Sequence, residues 1–212
     1  MRISLLRQLA NHPSSIERLG PAILPLIPKS ILASFAAALA SPRALKWYPG
    51  WKFGDGEFQG DDSHPLRLYL WKYFQAKRLD APFSILWYDG LRVNMYLGNV
   101  MSLCLYVAGT YEPNEFIFLA QVLRAGMTFI DVGANDGLYT LFAARRLGSS
   151  GKVISIEPSS REFTRLERNL RLNRAANVFA LRMAASDHEG TAILRLAEFG
   201  HEGLNTLGQF AY

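Results

Sequence analysis

The stretch TFIDVGANDGLYTLFAARRL, Thr128 to Leu147, limits what this chain can fold into more than any other. TFIDV reads as a buried-type strand, and the loop GANDG runs straight into an amphipathic helix, DGLYTLFAARRLG. A strand that leaves through glycines into a helix presents backbone amides, and little side chain, to a ligand at the carboxyl edge of a sheet. Gly133 lets the chain turn and a ligand come close, and Gly137 lets the helix pack tightly on the strand.

The same alternation continues. KVISIE is a second strand, SSREFTRLERNLRLN a second helix and VFALRMAAS a third strand, with TAILRL, Thr191 to Leu196, a further strand candidate. Strand, helix, strand in this rhythm predicts parallel strands with right-handed crossovers, an α/β Rossmann-like doubly wound sheet. Ser159 and Glu162 have the spacing of a capping box at the second helix. Phe163, Leu166 and Leu170 form its buried stripe, and its arginines make a solvated face. Asn169 and Asn173 read as structural polar residues of that helix.

Upstream, residues 1–85 read as a mainly helical extension with a turn-rich loop, and residues 86–212 as the α/β domain's N-terminal portion. ILASFAAALA, Ile31 to Ala40, has half the length of a membrane span, which needs about twenty residues. Arg7, His12 and Pro13 interrupt the zone where a signal peptide would be apolar, so a cytoplasmic protein is expected. The loop YPGWKFGDGEFQGDDSHP leads into a helix over Leu66 to Leu79, whose apolar positions are Leu66, Leu68, Tyr69, Phe74 and Leu79. SILWYDGLRVNMYL reads as a β-hairpin turning at Asp89-Gly90, with Leu91, Val93 and Met95 on one face. EFIFLAQVLRAG is a short helix ending at Gly126, with Phe116, Leu119 and Leu123 on one face.

Composition removes several classes of function. The net charge of +5 is spread along the chain, which does not argue for nucleic acid. A single cysteine, Cys104, excludes disulfide frameworks and reads as a buried small hydrophobe. His12, His64, His188 and His201 lack ligand spacing, so no metal site is expected.

The loop also narrows the ligand. GANDGLYT lacks the lysine of a phosphate loop, and Asn135 stands where a dinucleotide fingerprint has its middle glycine. Asp131 suits a cationic group better than a pyrophosphate. S-adenosylmethionine carries an ammonium and a sulfonium beside a ribose diol, and Glu157 at the end of the next strand is placed to accept from both ribose hydroxyls. Nicotinamide enzymes use the same device, so Glu157 by itself points to an adenosine ribose and not to one cofactor.

FIDVGANDGLYTLFAAR, VISIEPSSREFTRLERNLRLN and LRMAASDHEGTAIL, in this order after GTYEPNEFIFLAQVLRAGM, resemble the FkbM family of S-adenosylmethionine-dependent methyltransferases, from about Leu91 to the end. The resemblance implies a class I methyltransferase sheet. It also implies a cofactor loop of Asp131, Gly133, Asn135 and Gly137, with Tyr139 and Thr140 following where a hydroxyl meets the methionine carboxylate. Glu157 matches the ribose ligand, and Ala185, Ser186 and Asp187 match the part of the fold beside adenine.

The family's later K-x-D-x-E-G motif does not occur before Tyr212, so the domain is expected to be incomplete at its C-terminus. The far edge of the first strand would then be exposed, and a homo-oligomer or a partner chain would complete the sheet. The implied reaction is methylation of an oxygen on a hydroxylated small molecule or sugar. No catalytic base is named, although His201 and Glu202 lie in a loop that the resemblance puts near the acceptor. A non-catalytic S-adenosylmethionine-binding fragment and a nicotinamide-dependent dehydrogenase stand as alternatives.

Overall fold

The computed structural model describes Leu6, residues 15–40, Leu45, residues 64–198 and residues 201–208. Most of the expected loop at residues 48–65 lies outside them, as do His12 and the side chains of His64 and Glu202. The chain divides into two compact units. One comprises Met1–Ala44, Lys52–Ile85 and Met95–Tyr111, and the other Leu45–Trp51, Leu86–Asn94 and Glu112–Tyr212.

The first unit is helical. It contains α1 (Ile16–Ile23), α2 (Lys29–Leu39), α3 (His64–Lys77) and a segment from Val100 to Ala108 that is π-helical from Leu103 onward. The apolar run at Ile31 to Ala40 supplies most of α2, with Leu32, Ala33 and Ala36 buried. No described helix is long and apolar enough to cross a membrane. On α3 the buried stripe is Leu66, Leu70, Trp71 and Phe74; Leu68 and Tyr69 are only half-buried. Arg67 enters that core because its guanidinium donates to the Val107 carbonyl at 3.0 Å, which satisfies the buried cation's donors in part. Cys104 is buried, as a small hydrophobe would be.

Two short strands, β1 (Phe83–Leu86) and β2 (Arg92–Met95), pair through a turn in which Asp89 and Gly90 both have positive φ, 51° and 75°. Successive left-handed residues suit the twist of a tight hairpin. Leu91, Val93 and Met95 are buried and Arg92 is exposed, as the alternation requires.

The second unit is α/β. Parallel strands β3 (Thr128–Val132), β4 (Lys152–Ile156) and β5 (Val178–Leu181) lie in sequence order, so β4 is central. Helix α4 (Pro113–Val122) precedes the sheet, and α5 (Leu138–Leu147) and α6 (Ser160–Asn173) form the crossovers. Helix α4 stops at Val122, short of Gly126, because Leu123 turns to extended geometry at ψ 132°. Its Phe116 is fully buried against Trp87, Tyr139 and Phe142, with ring centroids 4.5 to 5.1 Å apart.

The sheet departs from the sequence reading in three ways. TFIDV is not buried on both faces: Ile130 and Val132 are 58% and 61% exposed, and Phe179 in register with Ile154 is 57% exposed. Helix α5 covers the opposite face, where Thr140 touches Asp131 and Ser155, and the described elements leave the first face open. Strand β5 ends at Leu181, so VFALRMAAS is strand only in its first half. TAILRL is not a strand either; it contributes one isolated bridge, Arg195 to Thr206.

On α6 the fully buried positions are Glu162, Leu166 and Asn169, while Phe163 and Leu170 are half-buried. A carboxylate and an amide can occupy that stripe because both have partners. The expected capping box does not close. Ser159 gives its N–H to Glu157 Oε1 at 2.9 Å, and its hydroxyl bonds the Glu162 carboxylate directly.

Candidate functional site

The loop after β3 is tied to the end of β4. The N–H groups of Gly133 and Ala134 both donate to the Ile156 carbonyl, at 2.8 and 3.0 Å, and that of Asn135 donates to Glu157 Oε2 at 2.9 Å. Gly137 gives its amide to the Ala134 carbonyl at 2.8 Å. The amides of Gly133, Ala134, Asn135 and Gly137, which the sequence suggested would face a ligand, are therefore satisfied within the protein. What Gly133 provides is room, since a Cβ added there would meet nothing within 4 Å. Gly137 serves helix packing: at φ 89° its added Cβ would lie 2.5 Å from Leu166 Cδ1, so the close neighbour is α6 and not the strand.

Two buried carboxylates flank this loop. Glu157, one residue beyond β4, accepts one backbone N–H on each oxygen, from Asn135 and Ser159. Each oxygen keeps a lone pair for a further donor. Asp131, on the helix-covered face of β3, accepts the Thr140 hydroxyl at 2.5 Å, and that hydroxyl also meets Ser155 Oγ at 2.7 Å. Burial raises the carboxyl pKa of Asp131 and of Glu157 above their ordinary values, against the hydrogen bonds they accept.

These shifts set a sign for stability. A folded-state carboxyl pKa above the unfolded value means that the native state holds the proton more tightly, so stability falls as pH rises through the raised pKa. At neutral pH the ionised Asp131 is therefore a net cost to the fold. Asp131→Asn keeps an oxygen for Thr140, and it should unfold at a higher temperature than the wild type at neutral pH, with the gap closing in acid. A variant that melts lower at neutral pH would refute this account.

Thr140 is thus turned inward, toward Asp131 and Ser155. Tyr139 stacks on Phe116 and donates its hydroxyl to Glu112 Oε2 at 2.5 Å. Glu112 was missed in the sequence; its only signal is its place before Pro113 in YEPNEF. Asn169, read there as structural, accepts the Asn94 N–H at 2.9 Å and donates to the Asp136 carbonyl at 2.7 Å, joining β2 to the glycine loop. Arg165 Nη1 lies 3.9 Å from Asp136 Oδ1.

The remaining candidates whose side chains are described are exposed. Ala185, Ser186 and Asp187 are exposed, and the Asp187 carboxylate bonds His188 Nδ1 at 2.7 Å, which lowers its pKa. His201 is exposed and precedes a short turn, Glu202–Leu204. That turn does reach the loop, since a Cβ on Gly203 would lie 3.9 Å from Asn135 Nδ2. Asn205 fastens it by donating to Glu162 Oε2 at 3.1 Å and accepting the Ala197 N–H at 2.9 Å. Among the described residues no group of three or more His, Cys, Asp or Glu is arranged to hold a metal. A recess of about 460 Å³ between Arg92, Arg145 and Asn177 opens at the amino ends of the strands, away from Asp131 and Glu157.

Solved structures that resemble the chain include an S-adenosylmethionine-dependent methyltransferase from Aquifex aeolicus, at 22% identity over 45% of this chain and 47% of that one, with TM-score 0.33. An S-adenosylmethionine-dependent O-methyltransferase from Thermotoga maritima is 24% identical over 49% of this chain and 41% of that one, with TM-score 0.33. TYW2 from P. horikoshii, in complex with MeSAdo, is 21% identical over 53% of this chain and 39% of that one, with TM-score 0.40. The chain spans between 34% and 55% of the length of six solved chains that it matches. Residues 131–209, from Asp131 in β3 onward, match the family model of the methyltransferase FkbM domain, and the cofactor that this match implies is S-adenosylmethionine.

Proposed function

We propose that this chain binds S-adenosylmethionine across the carboxyl ends of β3 and β4, and that the whole enzyme methylates an oxygen of a hydroxylated small molecule or sugar. The observation that carries the reading is Glu157, whose two oxygens are fixed by amides from two loops and retain lone pairs for a diol. The open space over Gly133 and the buried carboxylate of Asp131 suit a ligand that carries positive charge next to its ribose.

The cofactor, when bound, supplies a methyl group on a sulfonium that leaves readily. The chain's own residues bind and orient. Glu157 accepts the ribose hydroxyls, while Asp131, held by Thr140, adds negative charge under the loop. Asn135 and Tyr139 border the methionine end, and Gly133 and Gly137 let the loop adopt its path. Ala185 and Asp187 are assigned to the adenine side on the family resemblance. Positioning and desolvation of the two reactants supply most of the rate gain in such a transfer. A second copy of the chain or a partner would cover the open face at Ile130, Val132 and Phe179.

Calorimetric titration with S-adenosylhomocysteine and, separately, with NADH tests the reading. Saturable binding of the first and none of the second is expected. Binding of NADH alone would restore the dehydrogenase alternative, and a folded chain that binds neither would overturn the proposal.

A further inference from the structure

The geometry points to Glu112 as the acceptor for the cofactor's amino-acid ammonium, a contact supplied from outside the matched residues 131–209. This inference rests on the cofactor reading above. Three features support it. Glu112 occupies the N-cap position of α4, and its side chain makes no cap bond to the first turn, so its carboxylate is not spent on the helix's own amides. Its carboxylate instead meets the Tyr139 hydroxyl, two residues beyond the last glycine of the loop. Its backbone is left-handed, at φ 36° and ψ 57°, immediately before Pro113, and this conformation turns the chain into α4 at that point.

The carboxylates divide the work by their surroundings. Asp131 is buried beneath Thr140, and Glu157 already serves two amides at the end of β4. Glu112 is half-buried and bonds Tyr139 through one oxygen. A carboxylate of this kind, fixed by a phenol and still open to a donor, is suited to a primary ammonium, which needs three acceptors. Phe116 holds the Tyr139 ring in a parallel stack, so the phenol that orients Glu112 is itself fixed by α4.

Two adenosine ligands separate this role from a merely structural one. S-adenosylhomocysteine carries the amino-acid end, whereas 5′-methylthioadenosine lacks it and keeps the ribose and adenine. Glu112→Gln retains an oxygen for Tyr139 and removes the charge. The variant should bind S-adenosylhomocysteine about ten- to a hundredfold more weakly than wild type, as loss of a charge-assisted hydrogen bond implies, and bind 5′-methylthioadenosine equally well. Equal loss for both ligands would assign Glu112 a structural role and overturn the inference, as would no loss for either. If wild type binds both ligands, the cofactor reading survives whatever the variant does. A wild type that binds neither overturns the reading and the inference together.

Discussion

Replacing Glu157 with alanine should weaken S-adenosylhomocysteine binding at least about a hundredfold, because one side chain holds both the proposed diol and the loop beside it. Two bonds from ribose hydroxyls to a carboxylate contribute about 1.5–3 kcal/mol each when they form in a desolvated place. The alanine variant also leaves the N–H groups of Asn135 and Ser159 without their acceptor, so the loop after β3 and the start of α6 both loosen. Stability changes less than affinity, since removing a buried carboxylate with a raised pKa recovers the cost of burying its charge. Calorimetry on a variant shown by circular dichroism to be folded is the measurement. Affinity within threefold of wild type would remove Glu157 from the site.

That the glycine loop and Glu157 were legible in the sequence follows from local chemistry. A strand that ends at an aspartate, two glycines and a helix start can be read from twenty consecutive residues, and Glu157 directly follows the last residue of the next strand. The parallel order β3-β4-β5 followed from the alternation of elements. What the sequence concealed depended on long-range partners. The loop's amides looked available because nothing local showed that the Ile156 carbonyl and Glu157 would take them. TFIDV looked buried on both faces because its residues are apolar. Its exposure depends on what covers Ile130 and Val132, and no strand pattern records that.

Helix α6 misled for a related reason. Apolar spacing selected Phe163, Leu166 and Leu170, whereas the buried line is Glu162, Leu166 and Asn169. Periodicity arguments place polar residues on the solvent side, and they fail where each polar atom has a partner on another element. Glu162 meets Ser159, Arg161 and Asn205, so its carboxylate tolerates complete burial. Glu112 escaped for a similar reason, because the contact that singles it out is with Tyr139, 27 residues away.

Asn169 offers the sharpest test of that explanation. Its side chain is fully buried and bonds two backbone groups from different elements, the Asn94 N–H of β2 and the Asp136 carbonyl of the glycine loop. Asn173, one turn on, bonds both the N–H and the carbonyl of Arg92 at 2.8 and 2.7 Å, so α6 takes the place of a neighbouring strand along β2. Leucine has the same number of side-chain heavy atoms as asparagine, branched at the same Cγ, and offers neither donor nor acceptor. Asn169→Leu should therefore cost about 2–4 kcal/mol in urea unfolding, since each backbone group that loses its buried partner costs about 1–3 kcal/mol. Asn173→Leu, at the exposed end of the same line, should cost less than about 1 kcal/mol, because water replaces its bonds. The ordering matters more than either value. If Asn169→Leu were as mild as Asn173→Leu, the buried amide would not be what joins β2 to the loop, and apolar spacing would have been the better guide to α6.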